Sequence, residues 1–463
     1  MKHLLPYLFV LALFALMACQ EILTEGMFMD GLIYTGVAKS MSLGIGSFWS
    51  PSYTLTSFVH FYEHPPLMMW LLSLWMRLFG STRMVAKAYS IVVTVLTAVL
   101  MVAVWKRSGG SLKTGWMPLL LWTLIPPVAH FANNNILEST MVLFDLAAVW
   151  LMLADGRRPW LSHVAAGLML SCAFLTKGFT GLFPLALPAL LWMVGARKGR
   201  RLGDAVVLTL MVTAVAAAPL LTAYAAVPEA AAFLDQYLNI QLVNGVHVHV
   251  VDSRWYIVGR FFIHTVIVWG LLLLALLLGL RSGKSQLRPG AVLGGNRTAW
   301  ALLLLALCGV LPMMVSVKQR DFYLFTAYPF LALALACWIE PYVSNCCQWM
   351  ERKAFGGVTV VMLLAAVIVN GYFCGKPGRS HNKLTDRDVI APCLAVGETV
   401  TIPTELRYDY ELQGYYYINR QVSLDAVNVH RHLLTTAEYP ADSTYRKIPL
   451  PTEQYHLYEL QAE

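Results

Sequence analysis

Apolar runs long enough to cross the hydrocarbon core of a bilayer recur along this chain, and no other feature limits its fold as strongly. A helix needs about 20 apolar residues for the crossing. Such runs are read at 4–19, 84–105, 114–132, 138–154, 161–177, 179–196, 205–227, 258–280, 299–317, 322–340 and 355–374. The stretch 65–80 opens with Pro65-Pro66 and is interrupted by Arg77, so it is either a further short span or a helix lying in the interface. Of 463 residues, 58% are hydrophobic and 13% charged, with mean hydropathy +0.59. Soluble proteins carry about 25% charged residues, so a soluble single-core enzyme is excluded. The net charge of +8 is not gathered into basic patches with interleaved aromatics, which excludes a nucleic-acid partner. The chain reads as an all-α polytopic membrane protein of about 11–13 transmembrane helices.

Lys and Arg in the short connections set the orientation. With the N-terminus inside, the inner connections include Lys106, Arg107, Lys113, Arg157, Arg158, Arg197, Arg281 and Arg297. That assignment places roughly sixteen basic residues in about 57 inner positions, against roughly seven in about 105 outer ones, the bias the positive-inside rule requires. The first run ends Leu16-Met17-Ala18-Cys19, but Met17 suits a lipoprotein-type cleavage site poorly and further spans follow. An uncleaved first span is the preferred reading.

Residues 376–463 differ in character. Pro and charge return, and Val400–Ile402 and Tyr455–Tyr458 alternate as strands do. The expected organisation is a transmembrane domain at 1–375, with a first outer loop at about 20–83, and a small α/β domain at 376–463 on the outer side. The eight cysteines contain no CxxC pair, which argues against a cysteine metal site. Cys374 and Cys393 both fall outside, where a disulfide is open to them but spacing alone does not establish it.

Charge within or beside a span is expensive, so its placement is informative. In this topology it collects at the outward ends of spans: Asp30, Glu63 and His64, Asn133 to Asn135 with Glu138, Lys177, and Lys318, Arg320 and Asp321. Carboxylates supply a base or metal ligands, while Lys and Arg hold phosphate through charge-assisted hydrogen bonds. A phosphate at the membrane boundary suggests a lipid phosphate, and the combination suggests group transfer from a lipid-phosphate donor.

Several motifs carry a resemblance. Met29-Asp30-Gly31, Phe61-Tyr62-Glu63-His64-Pro65-Pro66-Leu67, Asn135-Ile136-Leu137-Glu138, Leu175-Thr176-Lys177-Gly178 and Lys318-Gln319-Arg320-Asp321-Phe322-Tyr323 follow one another on the same outward side. In order and spacing the set resembles bacterial glycosyltransferases of the protein O-mannosyltransferase and aminoarabinose transferase superfamily. The resemblance implies the GT-C membrane fold, outer-surface interfacial helices, and transfer of a sugar from a polyprenyl-phosphate donor outside the bacterial cytoplasmic membrane. Lipid A, a protein hydroxyl or another glycan is the acceptor, with membrane lipids around the chain.

Residue by residue, the resemblance makes Asp30 the base, against the plainer reading of a helix cap. Glu138 stands where a second carboxylate orients the acceptor or shares a proton with Asp30; capping its own span is the alternative. Glu63 and His64 match positions that hold a divalent metal cation, the one cofactor implied, or the donor. A surface loop pair is the plainer account, and the family's other metal-type histidine is replaced by Asn239, with His247 and His249 nearby. His64, Lys177, Lys318, Arg320 and Tyr323 match donor-phosphate contacts, against interfacial anchoring or snorkelling. A lipid-linked sugar flippase also needs cations for phosphate. Transporters, however, place binding groups near the midplane between repeats, and this chain shows no repeat.

Overall fold

The computed structural model describes residues 4–154, 159–197, 199, 201–244, 250–281, 284–343, 353–438 and 444–461. Numbering only the helices used below, α1 is Leu5–Met17, α2 Met29–Ser42, α3 Leu67–Phe79, α4 Arg83–Arg107, α5 Leu137–Met152, α6 Pro159–Lys177, α7 Leu202–Ala226 and α8 Tyr256–Arg281. They are followed by α9 at Arg297–Val310, α10 at Tyr328–Val343, α11 at Lys353–Phe373 and α12 at Tyr410–Arg420. Among the described residues six helical stretches are long and apolar enough to cross a membrane, and α1, α3 and α10 are shorter apolar helices. The chain is a multi-pass membrane protein, and each apolar run of the sequence is largely helical.

Two runs depart from a single straight crossing. Residues 160–193 form one apolar helical stretch, yet a Cβ at Gly181 would meet the Ala173 backbone at 3.0 Å. Residues eight apart in a straight helix are about 12 Å apart, so the chain doubles back. The reversal begins at Gly178, whose φ is +82°, a conformation that suits glycine. Lys177 therefore stands at a hairpin tip.

The other is α3. Its 13 residues reach about 20 Å, short of a crossing of about 30 Å. Met68, Met69, Leu72 and Met76 are buried on one side while Trp70, Leu78 and Phe79 are exposed. That amphipathic pattern is the interfacial one of the two alternatives.

The centre of the bundle is α10, buried at every position from Tyr328 to Ile339. Helices apolar all round occupy such places. At one end of the bundle, Arg107 donates to Trp150 O, Arg197 to Leu153 O and Arg297 to Gly195 O. Connections assigned to the inner side thus meet one another.

Beyond α11 lies a five-stranded sheet: β1 Thr399–Thr401, β2 Ser423–Asp425, β3 His432–Thr435, β4 Tyr445–Lys447 and β5 His456–Leu460, in the order β2-β1-β3-β5-β4. Strand β1 pairs parallel with β2, Val400 opposite Leu424, a geometry that requires a crossover. Helix α12 supplies it and also packs on α2. Lys39 of α2 donates to Ile418 O at 2.7 Å, and Ser40 meets Tyr417 at 2.7 Å. Tyr53 donates to Tyr410 O at 2.8 Å. The sheet unit is thereby tied to the helix that carries Asp30. Cys374 and Cys393 are both exposed and form no disulfide among the described residues.

Candidate active site

Asp30 lies in the first turn of α2, where the exposed amides of a helix start favour negative charge. The start is held by the hairpin before α5. Asn134 Oδ1 accepts from Phe28 N at 2.8 Å, and Asn135, at φ +56°, donates to Thr35 Oγ1 at 3.0 Å. A Cβ on Gly31 would stand 1.9 Å from Asn134 O, so the hairpin and α2 approach this closely only with glycine there. The Asn cluster is the mount of Asp30. The carboxylate itself caps nothing: the N-cap is Phe28, without a side-chain bond. Burial raises its pKa above the usual carboxylate value, and the Lys177 and Arg320 charges partly oppose that.

The segment before α10 delivers cations by alternation. Arg320 has extended backbone, so side chains two apart share a side. Gln319 points inward, 1% exposed; its Oε1 accepts from Ile257 N at 2.9 Å and its Nε2 donates to Arg254 O at 3.0 Å and Ser316 O at 2.8 Å. Pinning Gln319 turns Lys318 and Arg320 the other way, into a cavity of about 450 Å³ that Asp30, Tyr34, Glu63, His64 and Tyr323 also line.

A second cavity, of about 210 Å³, is lined by Glu138 and Lys177 and by the apolar Phe179, Pro312, Met313 and Val315. His64, Lys318 and Tyr323 line both. The two chambers therefore meet at those three residues, one end carrying Asp30 and the other apolar side chains, of which Val315 is 72% exposed. His64 Nδ1 is buried without a partner among the described residues. Burial, then the Lys177 and Lys318 charges, hold its pKa well below the usual histidine value, so the ring is neutral at neutral pH.

Glu138 and Lys177 form a buried ion pair, their side chains 1% and 6% exposed. The Lys177 ammonium also stands over the Tyr323 ring at 4.4 Å and the Phe322 ring at 5.2 Å. Glu138 thus lines the apolar-ended chamber, whereas Asp30 lines the other. Asp321 turns away from both. It accepts from Tyr256 Oη at 2.8 Å and Arg260 Nε at 2.9 Å, tying α8 to the segment before α10.

Glu63 and His64 line the larger cavity, but no three His, Cys, Asp or Glu side chains come together among the described residues. Zinc sites take three or four protein ligands, so this donor set does not fit a zinc ion held by the protein alone. His247 and His249 lie outside the described residues. Asn239 opens a π-helical turn, and two residues on Gln241 donates to Glu63 O at 2.7 Å, fixing the loop that carries Glu63. Sequence reasoning missed Tyr34, Gln241, Phe58 and Tyr410. The first two lie in or beside the motifs; Tyr410 is far along the chain in the sheet unit and carries no local signal.

Residues 63–223 match the family model described as dolichyl-phosphate-mannose-protein mannosyltransferase. The undecaprenyl phosphate-alpha-4-amino-4-deoxy-L-arabinose arabinosyl transferase 1 of Proteus mirabilis is 26% identical over 230 residues, 47% of this chain and 39% of that protein. The corresponding transferase of Pseudomonas aeruginosa is 28% identical over 178 residues, 37% of this chain and 32% of that protein. The matched stretches thus span less than half of either relative. ArnT from Cupriavidus metallidurans in the apo state shares the fold at TM-score 0.65 and 15% identity, over 98% of this chain and 97% of that one. Its structure bound to undecaprenyl phosphate gives TM-score 0.63 at 15% identity, over 97% and 96%. AglB from Archaeoglobus fulgidus, in complex with an inhibitory peptide and a dolichol-phosphate, gives TM-score 0.57 at 10% identity, over 94% and 69%. The chain has the GT-C fold and resembles the protein O-mannosyltransferase and aminoarabinose transferase superfamily.

Proposed function

We propose that this protein is a membrane glycosyltransferase that moves a sugar from a polyprenyl-phosphate donor to an acceptor at the periplasmic face of the bacterial inner membrane. The observation that supports it is the pair of joined chambers. Asp30, free of hydrogen bonds among the described residues, shares one with Lys318 and Arg320, and the other ends in apolar side chains. The prenyl chain enters past Phe179 and Met313. Its phosphate rests among Lys177, Lys318 and Arg320, with the His64 and Tyr323 side chains donating, and the sugar lies toward Asp30.

In the reaction the acceptor oxygen forms a bond to the anomeric carbon as its proton passes to the Asp30 carboxylate. The bond from that carbon to the phosphate oxygen breaks, and polyprenyl phosphate leaves with the electron pair, giving inversion. Fixed cations at the departing oxygen meet charge as it develops. Glu138 holds Lys177 in place, and the step is derived without a metal. Residues 376–463 are assigned to a periplasmic domain that covers the chamber through Tyr410.

The test is reconstitution in vesicles with a labelled polyprenyl-phosphate sugar. Transfer that vanishes in Asp30→Asn while donor binding persists supports the proposal. Translocation of the donor without transfer by the wild type refutes it.

A further inference from the structure

A third cavity, of about 200 Å³, lies between the first outer loop and the sheet unit, lined by Thr56, Phe58, Arg407, Tyr408, Tyr410 and Gln413, with residues following β2 closing it. Phe58 and Tyr410 also line the Asp30 chamber, their rings 5.1 Å apart. The aromatic pair is the wall shared by groove and chamber. Phe58 holds a φ of +46°, a left-handed conformation costly for an aromatic residue. Such strain persists where the surroundings over-determine it, and it clusters at functional sites.

The groove has a built polar group. Gln413 is 2% exposed; its Nε2 donates to Arg407 O at 2.7 Å, while its Oε1 is buried with no partner among the described residues. A buried amide oxygen left unpaired is costly and calls for a donor from outside the chain. Tyr408 is 70% exposed, and the Arg407 guanidinium lies 5.8 Å from its ring with no carboxylate partner among the described residues. Asp425, by contrast, is occupied by Val427 N, Asn428 and His430.

We infer that this groove binds a hydroxyl-bearing sugar of the acceptor and presents the acceptor's nucleophile to Asp30 past Phe58 and Tyr410. The inference rests on the glycosyltransferase reading and adds the acceptor side to it. Three aromatic faces, one unpaired acceptor and one unpaired multiple donor are the equipment for stacking and hydrogen-bonding a sugar ring. An extended peptide that bound by strand addition would need a free strand edge. The edge strand β2 is engaged: Thr56 Oγ1 donates to Leu424 O at 2.7 Å and Leu55 N to Ser423 Oγ at 3.3 Å. The donor approaches from the opposite end, where the chamber meets apolar side chains, so the groove is left to the acceptor.

The experiment uses the full chain in vesicles, with the labelled polyprenyl-phosphate pool as donor and, as acceptor, the glycolipid fraction, both extracted from cells lacking this protein. Tyr408→Ala and Arg407→Ala change exposed side chains, and Gln413→Leu removes the buried amide. Each is expected to raise the acceptor KM about tenfold, the effect of one lost hydrogen bond or stacking face, with donor KM unchanged. Wild-type transfer with the acceptor KM unmoved in Tyr408→Ala and Arg407→Ala overturns the groove alone. Absence of wild-type transfer overturns the glycosyltransferase reading and this inference with it. Label passing instead to a peptide fraction, with the same sensitivity, overturns the assignment of a sugar.

Discussion

The buried ion pair of Glu138 and Lys177 makes the sharpest test of how the two chambers are held together. Their side chains are 1% and 6% exposed, and removing one partner of such a pair typically costs about 3–5 kcal/mol, because the other is left charged and unpaired. The two removals are not equivalent here. Without Glu138, Lys177 retains the Tyr323 ring at 4.4 Å and the opposite charge of Asp30. Without Lys177, Glu138 has no other cation within ion-pair distance among the described residues. Glu138→Gln is therefore expected to cost about 1.5–3 kcal/mol, the value of a hydrogen bond to a charged group, and Lys177→Met about 3–5 kcal/mol. In the double variant Glu138→Leu with Lys177→Met no buried charge is stranded, so stability returns to within about 1–2 kcal/mol of the wild type. Transfer does not return, since the donor phosphate has lost a cation. Unfolding free energies from SDS titration in mixed micelles, beside transfer rates in vesicles, read both effects. Equal costs for the two single variants, or a double variant as unstable as Lys177→Met, would refute the reasoning.

Other outcomes follow from the same geometry. Asp30→Asn should lower the transfer rate by about 10² to 10⁴, the range of general-base assistance, with the unfolding midpoint nearly unchanged. The acid limb of kcat/KM should lie above the usual carboxylate range, because burial raises the Asp30 pKa and only its ionised form accepts a proton; Arg320→Ala, which removes an opposing charge, should move the limb to higher pH in a measured pH profile. Gly31→Ala should cost about 1–3 kcal/mol through overpacking against Asn134 O, read as a lowered unfolding midpoint. Lys39 is held at about 8 by burial, so the unfolded chain binds more protons between about pH 8 and pH 10 and stability rises across that window. Lys39→Met should abolish the rise when unfolding is followed at several pH values.

The helical character of the apolar runs and the gathering of charge at their ends were legible along the chain because each is a local property. An apolar run of about 20 residues must hide its own backbone polar groups inside one helix, whatever surrounds it. The motif residues were legible for a related reason: charge beside a bilayer is too expensive to be scattered, so Asp30, His64, Lys177, Lys318 and Arg320 stood out before any contact was known.

Pairing was not legible. Glu138 and Asp30 read alike as outward carboxylates, yet one is matched with Lys177 and the other has no hydrogen bond among the described residues, because a hairpin reversal at Gly178 decides where the ammonium arrives. Asp321 sits next to Arg320 in the chain, but the buried anchor at Gln319 sends Lys318 and Arg320 to one side, while Tyr256 and Arg260 capture Asp321 on the other. Tyr410 belongs to the site only because Lys39, Ser40 and Tyr53 clasp helix α12 across more than 350 residues of chain. Local sequence settles which groups water or lipid will not tolerate alone. The partner each of them finds depends on contacts between distant segments, whose geometry exists only once the chain has closed around it.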